Sequence, residues 1–522
     1  MAPKSKGRAH IFQRRTLERI SSIYIALLLS VFLLAFGSEG YAALTAFKYR
    51  LFLFISGGYV LAIVMLRTVL AAKGIQPVGK FTETLARTPM VLKLLFGFLF
   101  FSIASAVFSR YPGTVVGAFR REGLLTIGLY VLSCICLAKY AKPQRWMLYL
   151  LGMGVGLNSI LGLIQLTGRN PLSLFPQGVN YYGAGIYYSG EFLGTIGNAG
   201  LLGAFLSLAV AVLAMAMIKC NFKGRFYLAL PLFLAGLLIF TMGINAAQFA
   251  LAVGFVLMLP IAITNRDTLV NTLIVAATIA AAFALSQMLI FQDGPILFAR
   301  LRIVTVLAVC AAGILALLAL WVSEVKFFAT IPGKWYRISA AGIAVGVIIS
   351  AVAYLWLHGS EHGGMIYEAS QLLRGNWEDS FGTRRVYIWR NVLAFMRPQD
   401  LLLGTGPDTL GHWDMPPFTR YAEHLGVTLV AIHDAAHNIY LHILATGGLL
   451  SLLTYVGALT IAAANWIRFP DNTTSAIAGA GVLFYSIQAV FGITQFVSTL
   501  FFWACLGILL HAQCVQRKDM EE

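Results

Sequence analysis

The chain has 522 residues, 59% of them hydrophobic and 11% charged, with a formal net charge of +17. Soluble domains carry about 25% charged residues, so this composition excludes an ordinary soluble protein. The positive charge is scattered over short segments and not gathered in one basic domain, which excludes a nucleic-acid partner. Apolar runs lie near 20–37, 51–71, 88–108, 123–139, 146–167, 199–218, 226–243, 246–264, 268–289, 301–321, 338–357, 438–464, 474–492 and 496–513. Each is long enough to cross about 30 Å of hydrocarbon as a helix, and the alternating segments of a membrane β-barrel are absent. They predict an all-α polytopic membrane protein with about 12–14 transmembrane helices. The expected organisation is a membrane helix bundle over 1–357, one long outer loop over 358–437 carrying short amphipathic helices, and C-terminal membrane helices with a short cytoplasmic tail over 438–522.

A basic segment from Lys4 to Arg19 precedes the first run, and no small-residue cleavage site follows it. It reads as a retained signal anchor that starts in the cytoplasm. Alternating the spans from there puts both termini inside and the 358–437 loop outside. The inner segments then hold 22 basic residues, Lys80 and Arg87 among them, against 14 outside, in line with the positive-inside rule. Half of the inner set is lysine, whereas Lys48 is the single lysine of the outer set. Arginine offers a planar fork that grips phosphate oxygens with two hydrogen bonds and stays charged when partly dehydrated. An outer face of arginines suits a phosphate or pyrophosphate at the membrane surface. Snorkelling to headgroups accounts for Arg300 and Arg302 but not for the cluster between Arg374 and Arg420.

Three stretches of the long loop carry chemistry. In Phe381–Pro398, Thr383 is the expected helix N-cap, and Arg385, Trp389 and Leu393 share one helical face. In Leu402–Leu410, closely spaced glycines predict a tight turn; without the Walker lysine it is a weak phosphate loop. In His433–His442, a histidine and an asparagine stand where the chain re-enters the bilayer, and polar groups there are costly unless paired or functional. His433 and His437 have the spacing of two metal ligands on one helical turn. Asp434 stands where a zinc protease has glutamate, and no third ligand is evident, so no metal or other cofactor is expected.

Together these residues resemble a known family. Arg385-x-x-x-Trp389, then Leu403-Gly404-x-Gly406-Pro407-Asp408-Thr409, then His437-Asn438-x-Tyr440-Leu441 with Gly447-Gly448 following, is similar to the signature region of O-antigen ligases and polymerases. Gly194–Asn198 before a span resembles the family's glycine–asparagine lead into a helix, and Gly117–Leu125 resembles a segment of its larger members. The resemblance implies a metal-independent glycosyltransferase of the bacterial cytoplasmic (inner) membrane, with its active site on the outer face. Its partners would be an undecaprenyl-pyrophosphate-linked glycan donor, a glycan acceptor in the envelope (lipid, wall polymer or protein) and the bilayer. Arg385, with Arg384, would bind the pyrophosphate, and His437 would be the catalytic or orienting histidine. Trp389, Asn438 and Asn198 are further candidate substrate contacts.

One departure matters. The family's arginine in a threonine–serine–arginine setting is missing from Thr241–Gln248. Either Arg120 or Arg121 substitutes, or Asn245 and Gln248 supply neutral donors, or the activity is altered. Glu122 is a second candidate base; a surface ion pair with Arg121 is its plainer reading. A polymerase using the same donor is the first alternative, and a lipid-linked oligosaccharide flippase the second. No acidic residue falls mid-span, so the relay of a proton-driven carrier is not visible. Metal-dependent lipid glycosyltransferases with an acidic pair in the first outer loop fit less well, since that loop offers only Glu39.

Overall fold

A computed structural model describes residues 3–73, 88–188, 190–221, 223–422 and 427–521. Lys80 and Arg87, counted above among the inner cations, lie outside the described residues. The chain is an all-α polytopic membrane protein. Each of the fourteen apolar runs coincides with a helix, and among the described residues eleven helices are long and apolar enough to cross a membrane.

We label the principal helices in chain order. They are α1 (Pro3–Leu27, continued by a π turn at Leu28–Phe32), α2 (Leu44–Ala72), α3 (Met90–Val107), α4 (Leu124–Tyr140), α5 (Arg145–Gln165), α6 (Ala199–Lys219), α7 (Ala229–Met242), α8 (Asn245–Ala262) and α9 (Arg266–Met288). There follow α10 (Ile303–Glu324), α11 (Gly333–His358), α12 (Gly364–Leu373), α13 (Phe381–Phe395), α14 (Ile439–Arg468), α15 (Thr473–Gln488) and α16 (Phe496–Glu521).

Helix α6 is the axis of the bundle. Its sequence is apolar on every side and rich in alanine and glycine, so it presents no polar face to solvent and lets neighbours approach closely. It is buried along its length, with α5, α7, α8, α9, α15 and α16 around it. Helices α10 and α11 are mostly exposed apolar surface at the periphery, as expected of lipid-facing spans.

The contacts between connecting segments sort into two faces, as alternating spans require. On one face Arg110 pairs with Asp400 at 2.8 Å, Arg120 with Asp434 at 2.6 Å, and Asn180 bonds Asp293 at 2.8 Å. On the opposite face Lys142 meets Glu18 at 3.6 Å, Arg337 meets Asp471 at 2.6 Å, and Lys219 bonds Thr264 at 3.0 Å.

Lys48 departs from its expected place. The second span starts at Leu44 rather than near residue 51, so Lys48 lies in the helix and is 1% exposed. Its ammonium donates to the carbonyls of Phe32 and Leu33, at the end of the first helix. A cation at a helix C-terminus satisfies orphan carbonyls and meets the negative end of the dipole.

Helix α14 is broken where it passes Gly447–Gly448. Gly448 has φ 79° and ψ 174°, which only glycine adopts readily. The bonds lost at the break are remade by the segment before it. Leu449 N–H donates to Leu401 O at 2.8 Å and Leu450 N–H to Leu402 O at 3.3 Å, while Thr405 and Gly406 N–H donate to Ala445 O and Thr446 O at 3.2 and 2.8 Å. The expected tight turn is thus a plug seated in a split helix. A Cβ on Gly404 would strike Thr446 O, and one on Gly448 would strike Leu402 O.

We expect Gly404→Ala to destabilise the purified protein by about 1–3 kcal/mol, from the left-handed backbone and the clash. Gly313→Ala, which meets nothing within 4 Å, serves as the control in thermal unfolding. Equal midpoints for the two variants would refute the plug.

Candidate functional site

The site forms where the loop before α4, the start of α13, the segment before α14 and the turn after α15 meet. Its anchor is Asp408, which is 2% exposed and left-handed (φ 58°). Asp408 Oδ2 accepts the backbone N–H groups of Phe119 at 3.0 Å and Arg120 at 2.8 Å. Gly117 lies against it, where a Cβ would come 2.5 Å from that oxygen. One carboxylate therefore ties the glycine plug to the loop that carries Arg120, Arg121 and Glu122.

Arg120 Nη2 reaches Asp434 Oδ1 at 2.6 Å, and its Nε is buried without a protein partner. Arg121 sits at φ 60° and lays its guanidinium 5.2 Å from the centre of the Tyr49 ring, a cation–π contact. Among the described residues no carboxylate pairs with Arg121.

Arg385 arrives from the other side. Gly382, Thr383 and Arg384 are all left-handed (φ 62°, 59° and 66°). Thr383 therefore does not act as the expected N-cap: capping needs an extended backbone at that position, and the helix instead begins after Ser380 without a side-chain cap. The turn is held by Glu368, whose Oε2 accepts Gly382 N–H at 2.9 Å, and by Arg385 Nη1 donating to Gly382 O at 2.7 Å. A β-branched residue at positive φ is an uncommon conformation and persists only where its surroundings over-determine it.

Arg385 Nε donates to Phe491 O at 3.1 Å, and Trp389 stacks on the Phe491 ring with centroids 6.1 Å apart. The expected shared face holds for these two. Leu393 is 54% exposed, because the helix buries Val386, Ile388 and Val392 instead. Burial pulls the Arg385 guanidinium below its ordinary value. No described carboxylate forms an ion pair with it.

His437 stands at φ 49° just before α14. Residues 433–438 are not helical, so His433 and His437 do not share a helical turn. Burial lowers the His437 pKa to about 3, with Arg120 and Arg385 pushing in the same direction and Asp434 opposing them. The imidazole is therefore neutral at pH 7. Asn438 caps α14, its Oδ1 accepting Leu441 N–H at 3.1 Å.

Glu122 is not a surface group. It is 5% exposed and accepts the Tyr130 hydroxyl at 2.8 Å, while Arg121 turns away to Tyr49. Burial raises its pKa to about 8, and nearby Asp408 adds to the rise. Burial also raises that of Asp408. Glu122, Asp408, His442 and Thr499 line a cavity of about 60 Å³ beneath the arginines, large and polar enough for water.

The remaining candidates sit nearby or cap helices. Asn198 caps α6, accepting Gly200 and Leu201 N–H at 3.0 and 3.3 Å. Asn245 is exposed at the start of α8, and Gln248 Nε2 reaches Ile239 O at 3.4 Å. Beside Gln248, Phe249 packs edge-on to Phe491, 5.3 Å between centroids. Arg384 is exposed beside Arg385. Sequence reasoning missed Asp434 as the partner of Arg120 and Asp408 as the clamp. The available signal was that both acids lie within the short motifs that supply the glycines and His437.

Glu122 makes stability depend on pH. Between pH 4.5 and about 8 the folded protein holds a proton that the unfolded chain releases, so its contribution falls as pH rises through that window. Glu122→Gln should flatten the unfolding midpoint against pH across it. A slope identical to the wild type would place the titration elsewhere.

No curated protein matches the chain. Residues 296–456 match the family described as O-antigen ligase. That stretch contains Arg385, the Gly404–Asp408 plug, His437 and the Gly447–Gly448 break, so the match to the O-antigen ligase family covers the residues gathered at this site.

Proposed function

We propose that the protein transfers a glycan from undecaprenyl pyrophosphate to an acceptor of the cell envelope, on the outer face of the cytoplasmic membrane. The observation that supports this most is the meeting of Arg120 and Arg385 around a neutral His437, with Arg121 next in the loop that carries Arg120. Arg121 and Arg385 have no carboxylate partner among the described residues, and Arg120 has one. Such an excess of fixed positive charge suits a pyrophosphate.

In this reading Arg385, with Arg384, holds the pyrophosphate. Arg120 and Arg121 take the place of the arginine missing near Asn245. Trp389 and Phe491 wall the site. The acceptor hydroxyl attacks the anomeric carbon in line, its proton passes to His437, and the carbon–oxygen bond to the phosphate breaks. Undecaprenyl pyrophosphate leaves with the bonding electron pair, and the anomeric centre inverts. Charge grows on the leaving oxygen as the bond breaks, where fixed guanidinium groups stabilise the transition state.

The donor also prepares the base. Before it binds, Arg120 and Arg385 help keep the His437 pKa low. A pyrophosphate between them cancels much of that field and raises the imidazole pKa, while burial, the larger cause, still holds it below its ordinary value. His437 becomes a stronger base when the donor is in place, and the empty site has little tendency to activate water.

The test is a reconstituted assay with a lipid-pyrophosphate-linked oligosaccharide and candidate acceptors. Arg385→Ala should lower the rate about 10²–10³-fold, and Arg385→Lys should fail to restore it because the fork is lost. His437→Ala should lower it about 10²–10⁴-fold. Full activity of the His437 variant would remove its role as base. Extension of a lipid-linked repeat would mark a polymerase, and transfer to a finished lipid, wall polymer or protein a ligase. Lipid movement without bond formation would replace the proposal by a flippase.

A further inference from the structure

A second chamber opens on the opposite face of the bundle. It has a volume of about 460 Å³ and lies between α1, α5, α6, α15 and α16. That is within the range of about 300–1,000 Å³ typical of small-molecule sites. Its walls are apolar, formed by residues such as Ile25, Leu28, Leu151, Leu208, Ile477 and Phe501. Its mouth holds Arg145, Lys219, Asn221 and Thr473, and none of its described lining residues is acidic.

Size, lining and depth together restrict the occupant. Protein interiors are close-packed, and an apolar void of this volume is unfavourable to leave empty. Water does not settle in apolar cavities without polar partners. The bilayer supplies hydrocarbon chains at this depth. Leu208 and Lys219 both line the chamber, and along α6 they are separated by about 16 Å at helical rise. That is roughly half of the ~30 Å hydrocarbon thickness, the length of a single leaflet.

The charge at the mouth selects the headgroup. Lys219 spends one donor on Thr264 Oγ1 at 3.0 Å, and an ammonium has three. Basic pockets between membrane helices bind anionic lipid headgroups. We infer that this chamber holds one acyl chain of an anionic glycerophospholipid, with the phosphate at Arg145 and Lys219. This site lies on the face away from His437 and Arg385, and the inference stands apart from the proposed transfer reaction. The lipid would fill the space between α1 and the α15–α16 pair and so brace the bundle around α6.

The experiment uses the full chain in nanodiscs containing equal phosphatidylglycerol and phosphatidylcholine. After mild detergent release, native mass spectrometry reads the lipid retained. The wild type should keep one phosphatidylglycerol in preference to phosphatidylcholine by about tenfold. Paired Arg145→Gln and Lys219→Gln substitutions should erase that preference. Ala504→Trp, which fills the chamber, should abolish retention of either lipid while the protein still unfolds cooperatively on heating. No retained lipid in the wild type, equal retention of the two lipids, or undiminished retention in a folded Ala504→Trp protein would each overturn the inference. Should Ala504→Trp fail to fold, the paired glutamine variant decides by headgroup preference alone.

Discussion

The structure of the site depends on a helix that cannot satisfy its own backbone. Inside a bilayer an unpaired N–H or C=O costs several kcal/mol, so a break in a spanning helix must be repaired by protein. Here the repair comes from residues 401–406, which exchange four backbone hydrogen bonds with α14 across Gly448. The hydroxyls of Ser105 and Ser109 bond to the carbonyls of Thr446 and Thr405 at 2.7 and 2.5 Å, fixing the same junction to the end of α3. Once the plug is seated, Asp408 has one place to stand. Asp408 then fixes the backbone of Phe119 and Arg120, and Arg120 meets Asp434 just ahead of His437. The positions of groups far apart in sequence thus follow from one interrupted helix.

Electrostatics divides the region into two layers. The outer layer is cationic and uses arginine, whose charge survives partial burial and whose fork can hold two oxygens at once. The deeper layer contains Glu122 and Asp408, both with raised carboxyl pKa values. A protonated Glu122 keeps the deeper layer from neutralising the arginines above it. The field at His437 therefore comes mainly from Arg120 and Arg385, opposed by Asp434. Lys48 does not break this pattern, since its charge serves the carbonyls at the end of the first helix and not the loops.

Most of the fold was legible because hydrocarbon imposes a simple requirement, a long apolar helix: each of the fourteen runs lies on a helix, and among the described residues eleven helices meet that requirement. The start of the second span was misplaced because a lysine reads as a boundary, and only the open carbonyls of Phe32 and Leu33 explain why it can be buried. At the site, short motifs pointed to Arg385, His437 and the glycine turn. What they could not show was pairing across distance. Glu122 looked like a surface group because Arg121 is its neighbour in sequence, but the positive φ of Arg121 turns that side chain toward Tyr49. Thr383 looked like a cap because caps are assigned by residue type, whereas three successive left-handed residues depend on Glu368 and on Arg385 itself. Asp408 and Asp434 carried no signal separate from their motifs, since their partners lie about three hundred residues away in the chain.

The missing arginine near Asn245 can be placed in the same frame. The start of α8 approaches the site through Phe249 against Phe491, the residue whose carbonyl receives Arg385. A long cation on α8 would approach Arg385 from that side and face it across the aromatic ring. Arg120 and Arg121 come instead from the loop before α4, where Asp408 holds the backbone of Phe119 and Arg120. On the proposed reading the third positive charge is kept but supplied by another loop. That loop is held by a buried carboxylate and a glycine that a side chain could not replace. Rigidity matters there, because fixed donors stabilise developing charge only when they need not reorganise as the bond breaks. The substitution would therefore preserve the charge while tying its position to the same helix break that positions His437.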